Sequence, residues 1–401
     1  MNPKRVYNGD HAVSGLGRRA GASGLSLVEL MIALLIGTIL LIGLVQIFSA
    51  SREAYRLSEG LSRVQENSRF ALDYMQRDIR MAGHWGCVND QAMTQSEKFY
   101  ANGFYQMHLK SATEPALNFS QSIDVFEADN SAPGDTVAIG ATGAGTWSPT
   151  IPAYLSSLSP APTAGSDIIV IRYLSAQGVP VTEVGPDLIK TDATKWSVLT
   201  QEGVATPSLF GISDCTYLDV FQGSGVTAGS LTVSAGGMNA TGFDPSSRYS
   251  ASEESTRSTL YRAEVIAYYV SSNANVNEGE PTLYRARFQA SGGALASTSE
   301  PLVEGIENIQ LIYGQDESAD LSDLTGRITR YVTGNSIMTQ EQSLRIGAVK
   351  LAVLARSRER ASVSDQNTLE GLGTRFTVPT DGRYRAVYET TIAVRNRLYG
   401  N

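Results

Sequence analysis

Cysteine and histidine are scarce in this 401-residue chain, which has two of the first and three of the second. Neither Cys87 nor Cys215 belongs to a C-x-x-C pair and no H-E-x-x-H occurs, so zinc and thioredoxin-like chemistry lack their spacing. G-x-S-x-G and P-loop signatures are missing too, leaving no motif for a nucleophilic hydrolase or a nucleotide enzyme. Basic residues are outnumbered by acidic ones, 32 to 40, for a net charge of −8. Broad phosphate binding needs clustered Lys and Arg, so no nucleic-acid partner is expected. The short run Arg356-Ser-Arg-Glu-Arg360 reads as solvent-facing charge at a strand end. Asp316 to Asp323 opens like an EF-hand loop, but position twelve is Arg327 and no glycine stands at position six. No enzyme, cofactor or metal is expected. Proline is absent between Leu25 and Ala82, and there is no internal repeat.

What is present is a long apolar run. Leu30 to Ala50 are 21 residues without a charge. As a helix they span roughly 32 Å, enough to cross a hydrocarbon core. Glu29 stands at the edge of this run, where a mid-bilayer carboxylate costs about 2.5 to 3.5 kcal/mol. One account of it is the positive end of the helix dipole near the headgroups. Lys4, Arg5, Arg18 and Arg19 precede the run against a single Asp10, which keeps residues 1–24 cytoplasmic and sends the rest across. No A-x-A-like site follows the apolar core, and Arg18-Arg19 is followed by Ala20-Gly21 where a twin-arginine signal has bulkier apolar residues.

Beyond Ala50 the pattern turns amphipathic, with Leu57, Leu61, Val64, Leu72, Met75, Ile79 and Ala82 on one stripe. Glu59 with Arg63 and Asp73 with Arg77 are acid-first pairs four apart, and Gly83 supplies a stop. The expected helix runs from Leu25 to Ala82, about 87 Å. Cys87 and Cys215 both lie on the translocated side, either as a disulfide, constraining the unfolded chain by roughly 4 to 5 kcal/mol, or as two buried thiols. Residues 89–165 read mostly as loop, with one short strand at Thr136–Ile139. Further strands are expected at Asp167–Leu174, Cys215–Gln222, Gly229–Gly237, Leu260–Val270 and Thr282–Phe288. Period-two ribbons through Ile309–Tyr313, Val349–Ala355 and Tyr388–Val394 mark antiparallel sheet covered on one side by the helix stripe. Pro379-Thr-Asp-Gly382 is a tight turn into the last strand. The fold class is α+β: a long N-terminal helix, transmembrane in its first half, packed on an antiparallel β-sheet domain with a loop-rich β insertion.

Gly24-Leu-Ser-Leu-Val-Glu29 before a long apolar helix resembles the site cut by prepilin peptidase. The family resemblance is carried further by Arg80-Met-Ala-Gly-His-Trp-Gly-Cys87, Ser213-Asp-Cys-Thr216 and Val303-Glu-Gly-Ile-Glu-Asn-Ile-Gln-Leu-Ile-Tyr-Gly314. Leu344 to Ser357 and Thr391 to Asn396 complete it. Together these resemble the PilW family of minor pilins, which is similar to the J pseudopilin of type II secretion. The resemblance implies cleavage between Gly24 and Leu25, N-methylation of Leu25, and a Glu29 that pairs with the terminal amine of a neighbouring subunit. It implies a leader (1–24), an assembly half of the helix (25–50), an amphipathic half (51–83) and an extracytoplasmic β-rich pilin domain (84–401). That domain divides into a variable insertion (about 89–300) and a C-terminal sheet (about 301–401). The implied role is to prime type IV pilus assembly at or near the tip, supporting twitching. The implied partners are minor and major pilins, prepilin peptidase, the inner-membrane assembly platform and a PilY-type tip protein. The implied location is the inner membrane before assembly and the pilus tip after it. A J-like pseudopilin or a tip adhesin are the alternatives.

Overall fold

The computed structural model of the chain describes residues 24–89, 104–140, 145–251, 258–272, 279–321, 324–361 and 367–397. The leader up to residue 23 and Asp323 of the acidic loop lie outside the described residues. Two units are distinguished, one up to Tyr55 and one from Arg56 onward. Helix α1 (Leu27–Met81) begins in the first and ends in the second. In the first unit its side chains are exposed all round, and the most apolar stretch has no buried residue. This helix is long and apolar enough to cross a membrane by length and composition.

In the second unit α1 turns one face inward, burying Gly60, Val64, Ser68, Ala71, Met75, Asp78 and Ile79. Of the expected stripe, Val64, Met75, Ile79 and Ala82 are fully buried, whereas Leu57, Leu61 and Leu72 are only half-buried. Between Val64, Met75 and Ile79 the seam is completed by the small residues Gly60, Ser68 and Ala71. A Cβ on Gly60 would come 2.5 Å from the Ala361 Cβ, so the helix sits closer than leucines would permit. Glu59 pairs with Arg63 as expected, at 2.9 Å. Arg77 does not take Asp73; it pairs with Glu202 of the following domain. An exposed pair four apart on a helix is worth only a few tenths of a kcal/mol, so a tertiary acid readily displaces it.

The larger sheet, 13-stranded, is built around one long strand. Its main members are β1 (Ile123–Ala128), β2 (Ile168–Leu174), β3 (Leu209–Ser213), β4 (Leu218–Gln222), β5 (Thr259–Ser271), β6 (Thr282–Ser291) and β7 (Ala294–Glu304). The first half of β5 pairs with β3, and its second half lies between β2 and β6. On the outer sides β1 pairs with β2, β4 with β3, and β7 with β6. The unbroken run Ile168-Ile-Val-Ile-Arg-Tyr-Leu174 is buried at every position, because this strand is covered on both faces. Ile169, Ile171 and Tyr173 join the core under α1, while Ile168, Val170 and Leu174 join a second core around Trp85, Phe119 and Phe126.

The smaller sheet is four-stranded: β8 (Ile306–Gln315), β9 (Arg330–Thr333), β10 (Ile346–Arg360) and β11 (Arg383–Ala393), in the order β9-β8-β10-β11. All its pairings are antiparallel. Ile309, Leu311, Val349, Leu351, Val353 and Ile392 face α1, as the period of two requires. The other face is covered in part, contrary to expectation, while Glu389 and Thr391 on it remain exposed. Leu354 packs with Phe376 and Val137 of a small three-stranded sheet (Thr368–Gly371, Thr374–Thr377 and Thr136–Ala138) and with Val378 just beyond it. Ala352 and Leu354, apolar on the supposedly wet side of β10, were the signal for this cover. Residues 104–165, read as loop with one strand, also hold Tyr105–Met107, β1 and Trp147–Ser148. Acids at Asp124 and Glu127 hid β1 from a hydropathy reading.

Candidate assembly site

At the amino end of α1, Ser26 is the cap. Its Oγ accepts the Glu29 N–H at 3.1 Å and its carbonyl accepts the Leu30 N–H at 3.1 Å. The S-x-x-E spacing at Ser26 and Glu29 is that of a capping box, a signal present in the sequence that explains where the helix starts. Glu29 therefore lies in the first turn, exposed, at the positive end of the helix dipole. Among the described residues no cation pairs with it. Gly24 and Leu25 precede the helix, with Leu25 70% exposed, and between Leu30 and Phe48 the exposed surface is apolar apart from Thr38 and Gln46. The arrangement is a single carboxylate at the head of an oily cylinder. It can take one ammonium supplied from outside the described residues, and it costs free energy in an apolar bundle without one.

At the other end the helix stops at Met81, and Gly83 adopts a φ of 72° that a side chain would strain. The Asn396 amide donates towards the carbonyls of Arg80 (3.2 Å), Met81 (3.4 Å) and Ala82 (3.1 Å), satisfying groups the helix end leaves open. A two-strand hairpin, His84–Trp85 with Val88–Asn89, follows directly. Its turn is tight: a Cβ on Gly86 would meet the Tyr261 ring at 2.7 Å, with φ at +79°. Cys87 in this turn is bonded to Cys215, with Cα atoms 4.9 Å apart. Cys215 sits at φ 68° in the turn between β3 and β4, so the bond ties the helix exit to the larger sheet.

Residues 267–396 match the family model for type IV pilus-assembly protein W, PilW. The matched segment contains the whole of the C-terminal sheet. Among solved structures, a type IV-like pilin from Thermus thermophilus is similar, at 18% identity over 34% of this chain and 70% of that one, with a TM-score of 0.21. No curated protein matches the sequence.

Within the matched segment, the polar residues of β8 have defined work. Glu307 accepts from Arg385 through both oxygens, at 2.8 and 3.0 Å, and from Arg356 at 3.2 Å. Arg385, almost fully buried, also donates to Asp381 at 2.7 and 2.9 Å, and these bonds hold the Asp381 carboxyl down to about 2. Asn308 and Gln310 both donate to the Gly165 carbonyl, at 2.6 and 3.0 Å. This register is what allows Asp167 to accept the Leu311 N–H at 2.8 Å while also taking the Ala128 N–H at 2.9 Å. Complete burial pushes the Asp167 carboxyl up to about 8 in spite of those donors. Asp167 thus joins the smaller sheet to the larger one.

Three further polar groupings were not foreseen. Arg172, inside β2, donates to the carbonyls of Pro115, Ala116 and Gln121 and to Asp124. His108 lies 2.6 Å from Asp219 and 3.2 Å from Thr241, but Asp219 is shared with Tyr249 at 2.5 Å and Arg248 at 2.8 Å. That cluster fastens the loop carrying Thr241 onto β4. Asp316, considered above for calcium, spends its oxygens on N–H groups of Ser318, Thr325 and Gly326 and so closes its own loop.

Proposed function

We propose that this protein is a minor pilin that primes type IV pilus assembly and stands at or near the pilus tip. The observation that carries the proposal is the pairing of two features in one chain. An exposed apolar helix is headed by the capped Glu29, and the C-terminal sheet is of the PilW type. The mechanism follows from the first. Prepilin peptidase cuts between Gly24 and Leu25, and the new amine of Leu25 is methylated. The apolar half of α1 holds the subunit in the inner membrane until it moves into a bundle of neighbouring pilin helices. There an unpaired Glu29 would be costly in dry surroundings, whereas opposite a terminal ammonium it is strongly held, so the pair sets the axial register. The domain after the helix is then displayed with other minor pilins beneath a PilY-type tip protein, and the pilus supports twitching. The domain limits of 1–24, 25–50, 51–83 and 84–401 belong to the same proposal.

The deciding measurement is the N-terminus of the protein from sheared surface filaments, by intact mass and terminal-peptide mass spectrometry. A chain starting at methylated Leu25 is expected. One starting at Met1, or cut near Ala50, overturns the proposal. Glu29→Gln is expected to abolish surface pili at normal protein level, and pili unaffected by it would refute the role of the carboxylate.

A further inference from the structure

Strand β9 covers the edge of β8 only from Ile312 onward, and before that point the residues leading into β2 take its place. The Asp167 N–H donates to the Ile309 carbonyl at 3.0 Å, the Ile309 N–H to the Ser166 Oγ at 3.1 Å, and the Leu311 N–H to the Asp167 carboxyl at 2.8 Å. The joint between the two sheets continues at Glu127, whose carboxyl takes the N–H of Asn335, just past β9, at 2.8 Å. The approach is close there: a Cβ on Gly334 would come 3.1 Å from the Glu127 Cβ.

Glu127 and Asp167 are neighbours. Phe126 lies opposite Ile168, so the two acids stand at the next rung of the β1–β2 pair. Val125 and Ile169, two residues away on each strand, lie in the core shared with the smaller sheet, and strand alternation sends both carboxyls to that side. They are 4% and 2% exposed. Among the described residues neither has an ion-pair partner. The titratable groups acting on them besides each other are Asp129, Asp135 and the Tyr313 phenol, none of which supplies positive charge. Two dry carboxylates side by side without a cation are costly, and one proton removes much of that cost. Asp167 has a place for it. The Ser131 hydroxyl has one hydrogen and two oxygens in reach, the Ala128 carbonyl at 2.7 Å and the Asp167 Oδ1 at 3.3 Å. With that hydrogen on the nearer carbonyl, the Ser131 lone pairs are left to accept from a protonated Oδ1.

We infer that Asp167 and Glu127 form a proton-operated clasp between the two sheets, which a proton on Asp167 holds closed and which opens locally, ahead of unfolding, once that proton is lost. The clasp is independent of the assembly role proposed above. Closed, the Asp167 carboxyl is dry and is pushed up to about 8; opened, it meets water and returns towards the ordinary value of about 3.9. The closed form therefore binds the proton more tightly. Its advantage is complete below about pH 4, shrinks by up to about tenfold per pH unit above that, and stops shrinking near pH 8.

Hydrogen exchange of the full chain in detergent tests this, followed from pH 5 to 9 in peptides covering 306–315 and 333–337 and corrected for the intrinsic rate at each pH. The expected result is protection that falls by up to about tenfold per pH unit as far as pH 8 and then levels, at rates unaffected by urea below the unfolding transition. Peptides covering 209–222 report global opening and respond to urea. Protection at the joint that does not change with pH overturns the inference. So does exchange there with the urea dependence of 209–222, since the joint would then open only when the protein unfolds. In Asp167→Asn the pH dependence at the joint is expected to vanish, and its persistence overturns the clasp. If that variant does not fold, Ser131→Ala decides. Loss of the acceptor should lower protection at the joint more at pH 5 than at pH 9, and an equal loss at both overturns the clasp.

Discussion

Asp167→Asn is the substitution with the clearest physical signature. The wild-type carboxyl is completely buried and sits at about 8 instead of the ordinary 3.8, because desolvation of the charge outweighs the donors from Ala128, Leu311 and Ser131. A carboxyl raised on folding binds its proton more tightly in the native state. Its contribution is therefore greatest below the unfolded value near 4 and is lost as pH rises towards 8. The slope approaches 1.4 kcal/mol per pH unit, so between pH 5 and 8 the wild type loses on the order of 4 kcal/mol through this group. Asparagine cannot titrate, but its amide turns one N–H towards a backbone donor, leaving a buried group unsatisfied at about 1 to 3 kcal/mol. The variant should be the less stable protein at pH 5, and its deficit should shrink or reverse by pH 9. Urea midpoints of both full-length proteins in detergent, measured from pH 5 to 9, give the difference directly. A difference independent of pH would refute the assignment, even if the variant were unstable throughout.

Two other substitutions probe the frame. Replacing Cys87 by Ser opens a loop of 128 residues in sequence separation and should cost about 5 kcal/mol in the chain-entropy model, read as a fall in the non-reducing melting temperature that reductant reproduces in the wild type. Gly60→Val places its Cβ against Ala361 and should cost about 1 to 3 kcal/mol of stability, partly restored by Ala361→Gly; an unchanged melting temperature would mean that the helix does not approach β10 this closely.

Periodicity made much of this architecture legible before any coordinates. The apolar run and the stripe through Val64, Met75 and Ile79 repeat at helical spacing, and the ribbons at Ile309, Val349 and Tyr388 repeat at two. Each therefore declares both its element and its inward face. The turn at Pro379–Gly382 was readable for similarly local reasons, and Ser26 with Glu29 could have been; Cys87 and Cys215, the only two cysteines, left a disulfide or two thiols open until the structure paired them. What stayed hidden depends on groups remote in sequence. Arg172 in an isoleucine strand makes sense only once the Pro115, Ala116 and Gln121 carbonyls surround it. Glu307 and Asn308 look wrong for a buried strand until Arg385 and Gly165 arrive. Gly60 gives no sign of its role until Ala361 lies against it.

The bond between Cys87 and Cys215 also has a mechanical meaning. Cys87 lies six residues after the last residue of α1, so a pull along the helix reaches it almost at once. An extended chain gains about 3.3 to 3.6 Å per residue, and the segment enclosed by the bond would otherwise yield on the order of 400 Å of slack. Closed covalently, that length is withheld from tension. Load entering through the helix passes across the cystine into the β3–β4 turn, and the larger sheet is pulled as a block without being unravelled from its amino end.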